Sequence, residues 1–336
     1  MKDVAEHAGV SVATVSKYVN GGNVLERNQK KIRKAIDELN YKVNRIARSL
    51  KTDKTMTIGV LIPDFKNIFF TNIISYIEDI LQKSGYSTFI CEYKDDKRVE
   101  KEKINFFIDK MVDGIILVPH DNEIEEIDKI KEEDISLLLL DRMISGVECD
   151  MVLTDSVDGS YNAVKHFIQH GHKKIGIITG PEDIYTSRQR LKGYKKAHKN
   201  YNIKINSRYI RFSNYEVLGG YGQTKKIWKQ EDPPTALFIC NYEMTIGALI
   251  AVNEMKINIP RDLSLIGFDD IMQLSRVFKP SLSIVSQPME EIGETAANLL
   301  LKRLSGDYSN YPEHIKLRTE VLKKDSVYNL NDQKNN

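Results

Sequence analysis

The sequence predicts a small all-α head at the N-terminus and a larger α/β body built from two doubly wound halves. Three observations support this prediction. Basic residues are concentrated in the first 55 positions, short apolar runs alternate with segments of helical length after residue 56, and this alternation gives about nine strand-helix units, too many for one open sheet. The length of 336 residues leaves room for two packed units and a smaller one.

The composition is that of an ordinary water-soluble protein. Hydrophobic residues make up 41% and charged residues 29%, which excludes disorder as the main state. The most apolar runs, 58–62 and 135–140, are far shorter than the roughly 20 residues that a membrane-spanning helix requires. Residues 1–10 carry acids and a histidine where a secretory signal has a basic and then an apolar stretch. We therefore expect a cytoplasmic protein without a membrane partner.

Charge is distributed unevenly along the chain. Residues 1–55 hold twelve Lys and Arg against six acids, a net charge of +6. Because the whole chain carries +2, the remainder carries −4. A basic segment on a mildly acidic body is typical of a module that binds a polyanion and is attached to a domain that does not.

The first twenty residues predict two short helices joined by a tight turn. Val4, Ala5 and Ala8 share one face of the first helix, Gly9 gives the turn its backbone freedom, and Ser11 can cap the second helix. This arrangement predicts a helix-turn-helix.

The second helix has an inner and an outer face. Val15 and Val19, four residues apart, would pack the helix onto its neighbour. The outer face would meet base edges in the major groove of DNA, as a recognition helix does. The outward residues near its start are Val12, Ala13, Ser16 and Lys17.

A third helix completes the predicted head. Residues 20–22 (N-G-G) end the second helix, and Ile32, Ala35, Ile36 and Leu39 then follow at helical spacing. Three helices in about 40 residues predict a DNA-binding domain, against the alternative of a generic basic helical cap.

The head resembles that of the lac repressor (LacI) family. Residues 3–17 (D-V-A-E-H-A-G-V-S-V-A-T-V-S-K) resemble its helix-turn-helix, and residues 39–41 with 44–50 (N-R-I-A-R-S-L) resemble the end of its third helix and its hinge helix. The resemblance implies that Val12, Ala13 and Lys17 read bases, that Ser11, Thr14 and Ser16 face phosphates, and that Asn44, Arg48 and Leu50 belong to the DNA-binding hinge, with Leu50 as a wedge in the minor groove.

Two residues depart from the family pattern. Val43 stands where Pro usually precedes the hinge helix, so this helix is less preorganised. Leu25 stands where Ser usually caps the third helix, a loss of about 1 kcal/mol unless Asn28 takes over the cap.

The body alternates strands with helices. Its strands are apolar throughout, which favours a parallel sheet covered on both faces. Helical periodicity separates them, as in Ile73, Ile77 and Leu81. The predicted strands are 57–62, 86–91, 114–118, 135–140, 174–179, 236–240 and 263–268.

Motifs in the body extend the resemblance along nearly the whole chain. They occur in the family order and include 62–70, 112–116, 140–142, 171–175, 188–194, 234–238, 265–270 and 287–288. The resemblance implies a type I periplasmic-binding-protein-like fold. We expect a head at 1–43, a hinge helix and linker at 44–55, an effector-binding and dimerisation domain at 56–325, and a polar tail at 326–336 that is frayed from Asn329 onward. Within that domain the N-subdomain covers about 56–155 plus 287–322 and the C-subdomain about 156–286.

Polar residues at strand ends predict a ligand cleft between the two halves. Carboxylates accept hydrogen bonds from adjacent hydroxyls, Arg donates two in parallel and Asn does both, which suits a polyol. Aromatic residues would supply flat faces for a sugar ring. The polar candidates are Asp64, Asp141, Arg188, Arg190, Asn241 and Asp269, and the aromatic ones are Phe69, Phe70 and Tyr215. The resemblance favours Phe70, Arg190, Asn241 and Asp269 as effector contacts, followed by Asp141.

Each candidate also has a structural interpretation. Asp269 could cap a helix, Phe69 and Phe70 could be core residues, and Arg188 could form a surface ion pair. Tyr242 stands where the family often has Asp, so the ligand's identity is open. Two arginines leave room for an acidic or phosphorylated sugar as well as a neutral one.

The sequence offers no catalytic constellation. Residues 219–222 (G-G-Y-G) lack the G-x-G-x-x-G spacing of a dinucleotide site. His166 and His170 share a helix face, but no third metal ligand of defined spacing accompanies them, and His172 matches a Gly-His turn of the family. The cysteines at 91, 149 and 240 form no C-x-x-C pair and fit a reducing compartment. We expect no cofactor, no metal and no catalytic residues.

Together these features predict a transcriptional regulator, a repressor, controlled by a small-molecule effector that is a sugar or sugar derivative. The resemblance implies a homodimer on a palindromic operator in double-stranded DNA. The alternatives are a sugar-binding receptor, which would need an export signal and no basic head, and a sugar-acting enzyme, which would turn its ligand over.

Overall fold

The computed structural model describes residues 1–19, 22–41, 54–121 and 124–332. They belong to two compact units, Met1–Thr55 and Met56–Asn336, which are the head and the body. None of the helices in these ranges is long and apolar enough to cross a bilayer.

The head is a three-helix unit around one small apolar core. Val4, Val15 and Ile32 each contribute a fully buried side chain from a different helix. Gly9 lies between the first two helices at φ 61°, in the left-handed region that favours glycine, and so permits the predicted turn. Leu39, expected on the inner face, instead follows the third helix and is 41% exposed. The helices are α1 (Lys2–Ala8), α2 (Val12–Val19) and α3 (Glu26–Glu38).

The first sheet of the body has six parallel strands in the order β11-β5-β4-β3-β1-β2. Its central strands are buried along almost their whole length, because helices cover both faces. The strands are β1 (Thr57–Ile62), β2 (Ser87–Glu92), β3 (Gly114–Leu117), β4 (Ser136–Leu140), β5 (Asp150–Thr154) and β11 (His314–Leu317). The helices that belong to this half are α4 (Ile68–Lys83), α5 (Lys97–Asp109), α6 (Ile127–Glu132) and α12 (Met289–Leu304).

The second sheet repeats this plan in the order β12-β10-β9-β8-β6-β7, parallel except that β12 runs antiparallel to β10. The strands are β6 (Ile175–Thr179), β7 (Ile210–Phe212), β8 (Ala236–Ile239), β9 (Ser264–Phe268), β10 (Ser283–Ser286) and β12 (Glu320–Leu322). Its helices are α7 (Ser156–Gln169), α8 (Tyr185–Asn200), α9 (Val217–Trp228), α10 (Tyr242–Glu254) and the short α11 (Leu274–Val277).

The chain passes between the two sheets three times. The crossings follow β5, β10 and β11, and each is only a few residues long. Strand β12 therefore belongs to the second sheet, although the sequence placed residues up to 322 in the first half. Short multiple crossings hold two lobes as a hinged pair and leave a cleft between the carboxyl ends of their strands.

The segment after β12 differs from the frayed tail that its polar composition predicts. Ser326 is fully buried, and its hydroxyl donates to the carbonyl of Leu265 at 2.6 Å. The amide of Tyr328 donates to Ser264 Oγ, and the amide of Leu330 donates to the carbonyl of His170. Through residue 332 the described tail is thus part of the second lobe, because its polar groups satisfy partners on that lobe.

Candidate functional site

The helix α2 of the head presents its start to solvent. Ser11 caps the helix, because its Oγ accepts a hydrogen bond of 3.1 Å from the amide of Thr14. Val12 is 44% exposed, and Ala13 and Lys17 are exposed as well. The predicted base-reading side chains are therefore accessible together on one turn of helix.

Polar contacts fix α2 and α1 on α3. Arg33 Nε donates to the hydroxyl of Tyr18 over 3.4 Å, and His7 Nε2 lies 2.7 Å from Glu38 Oε2. The N-terminus of α3 has no side-chain cap, so Asn28 does not replace the missing serine at Leu25. The amide of Asn28 donates to the carbonyl of Leu25 instead.

The other predicted DNA-binding residues lie partly on α2 and partly in the hinge segment. Thr14 and Ser16 lie half-buried on α2. Asn44, Arg48 and Leu50 lie outside the described residues, as does Val43.

The body encloses a cavity of about 330 Å³ between the carboxyl ends of the two sheets. Eight of the nine predicted effector contacts line it. They come from both lobes, with Asp64 after β1 and Asp141 after β4 on one side, and Asn241 after β8 and Asp269 after β9 on the other. The other four are Phe69, Phe70, Arg190 and Tyr215.

Four of the lining residues have left-handed backbone conformations. The φ angles are 53° at Asp95, 63° at Asp141, 64° at Tyr215 and 71° at Asp269. Such conformations are uncommon for residues other than glycine and each costs of the order of 1 kcal/mol. Their grouping around one cavity indicates that the backbone turns there in order to direct these side chains inward.

Asp141 and the next residue, Arg142, form a buried charged pair of side chains at the floor of the cavity. Arg142 Nη1 donates to the hydroxyl of Tyr93 at 3.2 Å and to the carbonyl of Pro119 at 2.9 Å. Asp141 Oδ1 is buried and has no hydrogen-bond partner among the described residues. Burial raises the pKa of Asp141, and the positive charges of Arg190 and Arg142 offset this only in part.

Arg190 is the centre of the second lobe's contribution. Its guanidinium carbon lies 3.9 Å from the centre of the Phe268 ring, and Nη1 donates to the carbonyl of Cys240. Its Nε is buried without a partner among the described residues. Arg190 also lowers the pKa of the nearby Asp269 carboxyl, which burial raises.

Asn241 has a structural role as well as a place on the wall. Its Oδ1 accepts a hydrogen bond from the amide of Met244 and caps α10, while Nδ2 donates to the carbonyl of Tyr215 at 2.8 Å. The ring of Tyr215 lies against Gly180, where an added Cβ would lie 2.1 Å from the ring carbon Cζ. Glycine is required at this position because of that close approach.

The aromatic pair on α4 is both core and wall. Phe69 and Phe70 are 6% and 5% exposed, and their rings meet edge to face with centroids 5.3 Å apart. Asn67 fixes the start of this helix, since its Oδ1 accepts a hydrogen bond from the amide of Phe69. The core interpretation and the ligand interpretation are therefore compatible.

Arg188 does not belong to the lining. It lies half-buried on α8, and its Nη1 donates to the carbonyl of Asp183. Residues two apart on a helix point in different directions, so Arg188 and Arg190 cannot both face the cavity. The second guanidinium of the lining comes from Arg142, which was not among the predicted contacts although it directly follows Asp141 at a strand end.

Further lining residues were not predicted, because they lie on loops and first helical turns that carry no periodic signal. Several of them are polar, and they come from both lobes. They include Asn67, Asp95, His120, Asp183, Thr186, Asn214, Glu216 and Glu243.

The histidine cluster on the second lobe is structural. His172 Nδ1 lies 2.9 Å from Thr235 Oγ1, and its Nε2 lies 3.0 Å from the carbonyl of Tyr328 in the docked tail. The rings of His166 and His170 meet edge to face, with centroids 4.3 Å apart. In the described part of the chain, no three His, Cys, Asp or Glu side chains are grouped as ligands for a metal ion.

Comparisons with known proteins agree with this geometry. Residues 1–44 match the family described as "Bacterial regulatory proteins, lacI family", and residues 164–327 match "Periplasmic binding protein-like domain". The chain is 33% identical over 332 residues to the HTH-type transcriptional repressor PurR of Aliivibrio salmonicida, covering 98% of this chain and 99% of that relative.

Two solved structures are similar in fold. The lac repressor dimer bound to operator and the anti-inducer ONPF superposes with a TM-score of 0.85 at 25% identity, covering 97% of this chain and 98% of that one. A LacI family transcriptional regulator from Enterococcus faecium with bound ribose has a TM-score of 0.73 at 30% identity, covering 82% and 99%.

Proposed function

Because the chain belongs to the lacI family of bacterial regulatory proteins, we propose that it is a transcriptional repressor whose affinity for an operator depends on a small molecule bound in the body cavity. One observation carries this proposal. The same chain combines an exposed helix-turn-helix with a cavity of about 330 Å³ whose buried polar walls come from two hinged lobes. Because its operator lies in double-stranded DNA, we also assign the protein to the cytoplasm.

In the DNA-binding part, α2 enters the major groove of the operator. Val12, Ala13 and Lys17 contact base edges, and Ser11, Thr14 and Ser16 contact phosphates. The exposure of Val12 and the capped start of α2 support this assignment. The segment 44–55 connects the head to the body, where Asn44, Arg48 and Leu50 add contacts and Leu50 enters the minor groove.

In the body, the effector is a sugar or sugar derivative. The E. faecium relative carries ribose, and the cavity here offers the donors and acceptors that ring hydroxyls require. Asp141, Arg190 and Asp269 supply hydrogen bonds from the floor, and Phe70 supplies a flat apolar face. Phe69, Asp64, Tyr215 and Asn241 complete the contacts, and Arg188 has no part in them.

The repressor acts as a homodimer on a palindromic operator. The support is an apolar groove on the second lobe between α10 and the loop after α11. Ile250 is 43% exposed there, beside Ile246 and Phe278, and a second copy would cover these residues. Val277, the residue before Phe278, is 74% exposed. Two heads joined in this way read two half-sites related by two-fold symmetry.

Control of DNA binding follows from the hinge between the lobes. A ligand that contacts both lobes favours the arrangement in which its contacts are complete. It changes operator affinity only to the extent that its affinities for the two arrangements differ.

The experiment is selection of genomic fragments by the purified full-length protein, repeated with a metabolite panel. We expect a palindromic sequence to be enriched over random DNA and a sugar or sugar derivative to change its retention. Failure to enrich any fragment, with or without the panel, would contradict the DNA-binding function. Conversion of a sugar to product would identify an enzyme, and sugar binding without DNA binding would identify a receptor.

A further inference from the structure

The lining of the effector cavity is strongly acidic. Seven carboxylates and two guanidiniums line it, so acids exceed fixed cations by five. Among the described lining residues, only Arg142 and Arg190 carry a fixed positive charge. The carboxylates are Asp64, Asp95, Asp141, Asp183, Glu216, Glu243 and Asp269.

The positive charges of both arginines are compensated at the floor of the cavity, where Asp141 and Asp269 lie. Arg190 lowers the pKa of the Asp269 and Asp141 carboxyls, and Arg142 also lowers that of Asp141. Their Nη atoms donate to carbonyls of the protein, Arg190 to Cys240 and Arg142 to Pro119. The two positive charges are therefore balanced by the two buried aspartates. The other five carboxylates, which we call the upper wall, keep a net negative charge; they are Asp64, Asp95, Asp183, Glu216 and Glu243.

Three carboxylates of this upper wall interact across the cleft. Asp64 follows β1 of the first lobe, whereas Glu216 precedes α9 and Glu243 lies in the first turn of α10 of the second lobe. Glu243 is half-buried, and burial raises its pKa, with the negative charges of Asp64 and Glu216 raising it further. Like charges on opposite lobes repel, so the empty cleft resists closing at this edge.

A second observation, at the floor, indicates that the cavity binds a ligand. Asp141 is 8% exposed, and its Oδ1 has no hydrogen-bond partner among the described residues. Arg142 and Arg190, which are 7% and 4% exposed, each have a buried Nε in the same condition. Buried polar atoms are normally paired, and three unpaired ones around a single cavity leave hydrogen bonds for a bound molecule to complete.

We propose that the effector carries a positive charge, as an amine-bearing polyol or amino sugar, with its ammonium group between Asp64 and Glu243 and its hydroxyls on the floor. This inference rests on the proposed function, since it concerns the same cavity, and it narrows the ligand class. The open possibility of an acidic or phosphorylated sugar is disfavoured, because an anion would add to an unbalanced negative charge.

The proposal also gives the charge a role in control. A cation between Asp64 and Glu243 converts repulsion between the lobes into attraction on both sides. The ligand then stabilises the closed arrangement more than a neutral sugar of the same shape would. This difference is the differential affinity that a population shift requires.

The test is isothermal titration of the full-length protein with matched sugars. The pairs are D-glucosamine with D-glucose and D-galactosamine with D-galactose, in which one ammonium replaces one hydroxyl. We expect the amine of at least one pair to bind about tenfold or more tightly than its neutral partner, since charge-assisted hydrogen bonds are about twice as strong as neutral ones. Equal or tighter binding of the neutral sugars overturns the proposal, as does binding of none of the four.

Substitution of Glu243 locates the charge. Glu243→Gln should cost the amine about tenfold in affinity and leave the neutral partner within about twofold. Glu254→Gln, on the same helix but outside the cavity, is the matched control and should change neither. An unchanged amine affinity in Glu243→Gln rejects the assigned position. Tight binding of a neutral sugar, together with operator binding, would leave the proposed function intact while refuting the charge.

Discussion

Gln287 Nε2 donates a hydrogen bond of 2.6 Å to Oδ1 of Asp269 on the cavity wall. The other end of the same side chain accepts a hydrogen bond of 2.6 Å from the hydroxyl of Thr154. Thr154 ends β5 at one crossing between the lobes, and Gln287 lies in another. One buried side chain thus links two hinge crossings to a predicted effector contact, so we expect ligand contact at Asp269 to be coupled to movement of the lobes.

Gln287→Leu should weaken the response to effector as well as stability. The substitution leaves Asp269 without its donor and Thr154 without its acceptor, and unpaired buried groups cost about 1–3 kcal/mol. Loss of the hydrogen bond also lets the pKa of Asp269 rise further. We expect effector affinity to fall about tenfold by titration calorimetry. Gln82→Leu, on the exposed face of α4, is the control, and an equal loss in both variants would count against the link.

Arg190 and Arg188 form a matched pair on one helix. Arg190→Ala should abolish the effector response while operator binding persists, because the guanidinium on Phe268 and its compensation of Asp269 are both lost. Arg190→Lys retains the charge and tests whether a loss comes from misfolding. Arg188→Ala should respond almost as the unchanged protein does, since Arg188 lies outside the lining. The effector-dependent change in operator retention, measured in a gel assay, decides between them, and a normal response in Arg190→Ala would refute the assigned site.

The sequence was sufficient for the strands that form clear apolar runs, although the buried strands β5 and β10 were not among those predicted. Strand β1 lies at 57–62 as predicted, because its residues are buried on both faces and stand out as an unbroken apolar run. Strands such as Ile210–Phe212 and Glu320–Leu322 were missed, because they are three residues long, lie at sheet edges and carry polar side chains. The docked tail was missed because hydrogen bonds of its backbone and of Ser326, and not apolar periodicity, hold it in place.

The site was predictable where a polar residue directly follows a buried strand. Asp141 and Asp269 satisfy that rule and Asn241 lies one residue further on, since the carboxyl ends of parallel strands meet at one edge of a sheet. The rule says nothing about residues on loops or first helical turns, such as Glu216 and Glu243, whose direction depends on tertiary packing. It also cannot tell Arg188 from Arg190, because that choice depends on the rotation of α8 against its sheet.

Lys17 should determine which base is preferred in the operator, and not merely attract DNA through its positive charge. Lys17→Ala is expected to weaken operator binding by about 1–3 kcal/mol and to relax base choice at one position of each half-site. Lys31→Ala, an exposed lysine of α3, should instead weaken binding to operator and random DNA alike. Fluorescence anisotropy against a set of single-base operator variants measures both effects. An unchanged base preference in Lys17→Ala would contradict its role.

The groove between α10 and the loop after α11 should be the dimer interface. Ile250→Asp places a charge where the apolar surface of a second copy is expected. We therefore expect the dissociation constant of the dimer, measured by sedimentation equilibrium, to rise at least about tenfold. Leu218→Asp, on α9 and 78% exposed, makes the same change away from the groove and should leave the dimer intact. Retention of the dimer by Ile250→Asp would place the interface elsewhere.

Acidification should destabilise the body through its buried histidines. Burial lowers the pKa of His166 to about 4 and that of His172 to about 4, against 6.5 for an ordinary histidine. Well above pH 6.5 both are neutral in the folded and the unfolded chain, so neither contributes a pH dependence to the free energy of unfolding there. Between pH 6.5 and 4 the unfolded chain binds protons that the folded chain excludes, and each histidine can lower the free energy of unfolding by up to about 3 kcal/mol.

Urea unfolding at a series of pH values between 8 and 5 measures this loss. His172→Gln should be less stable than the unchanged protein at pH 8, because contacts with Thr235 and Tyr328 are altered, yet its stability should fall less steeply below pH 6.5. His314→Gln, at an exposed position, should retain the original slope. If His172→Gln keeps the full pH dependence as well, the excluded proton does not belong to His172.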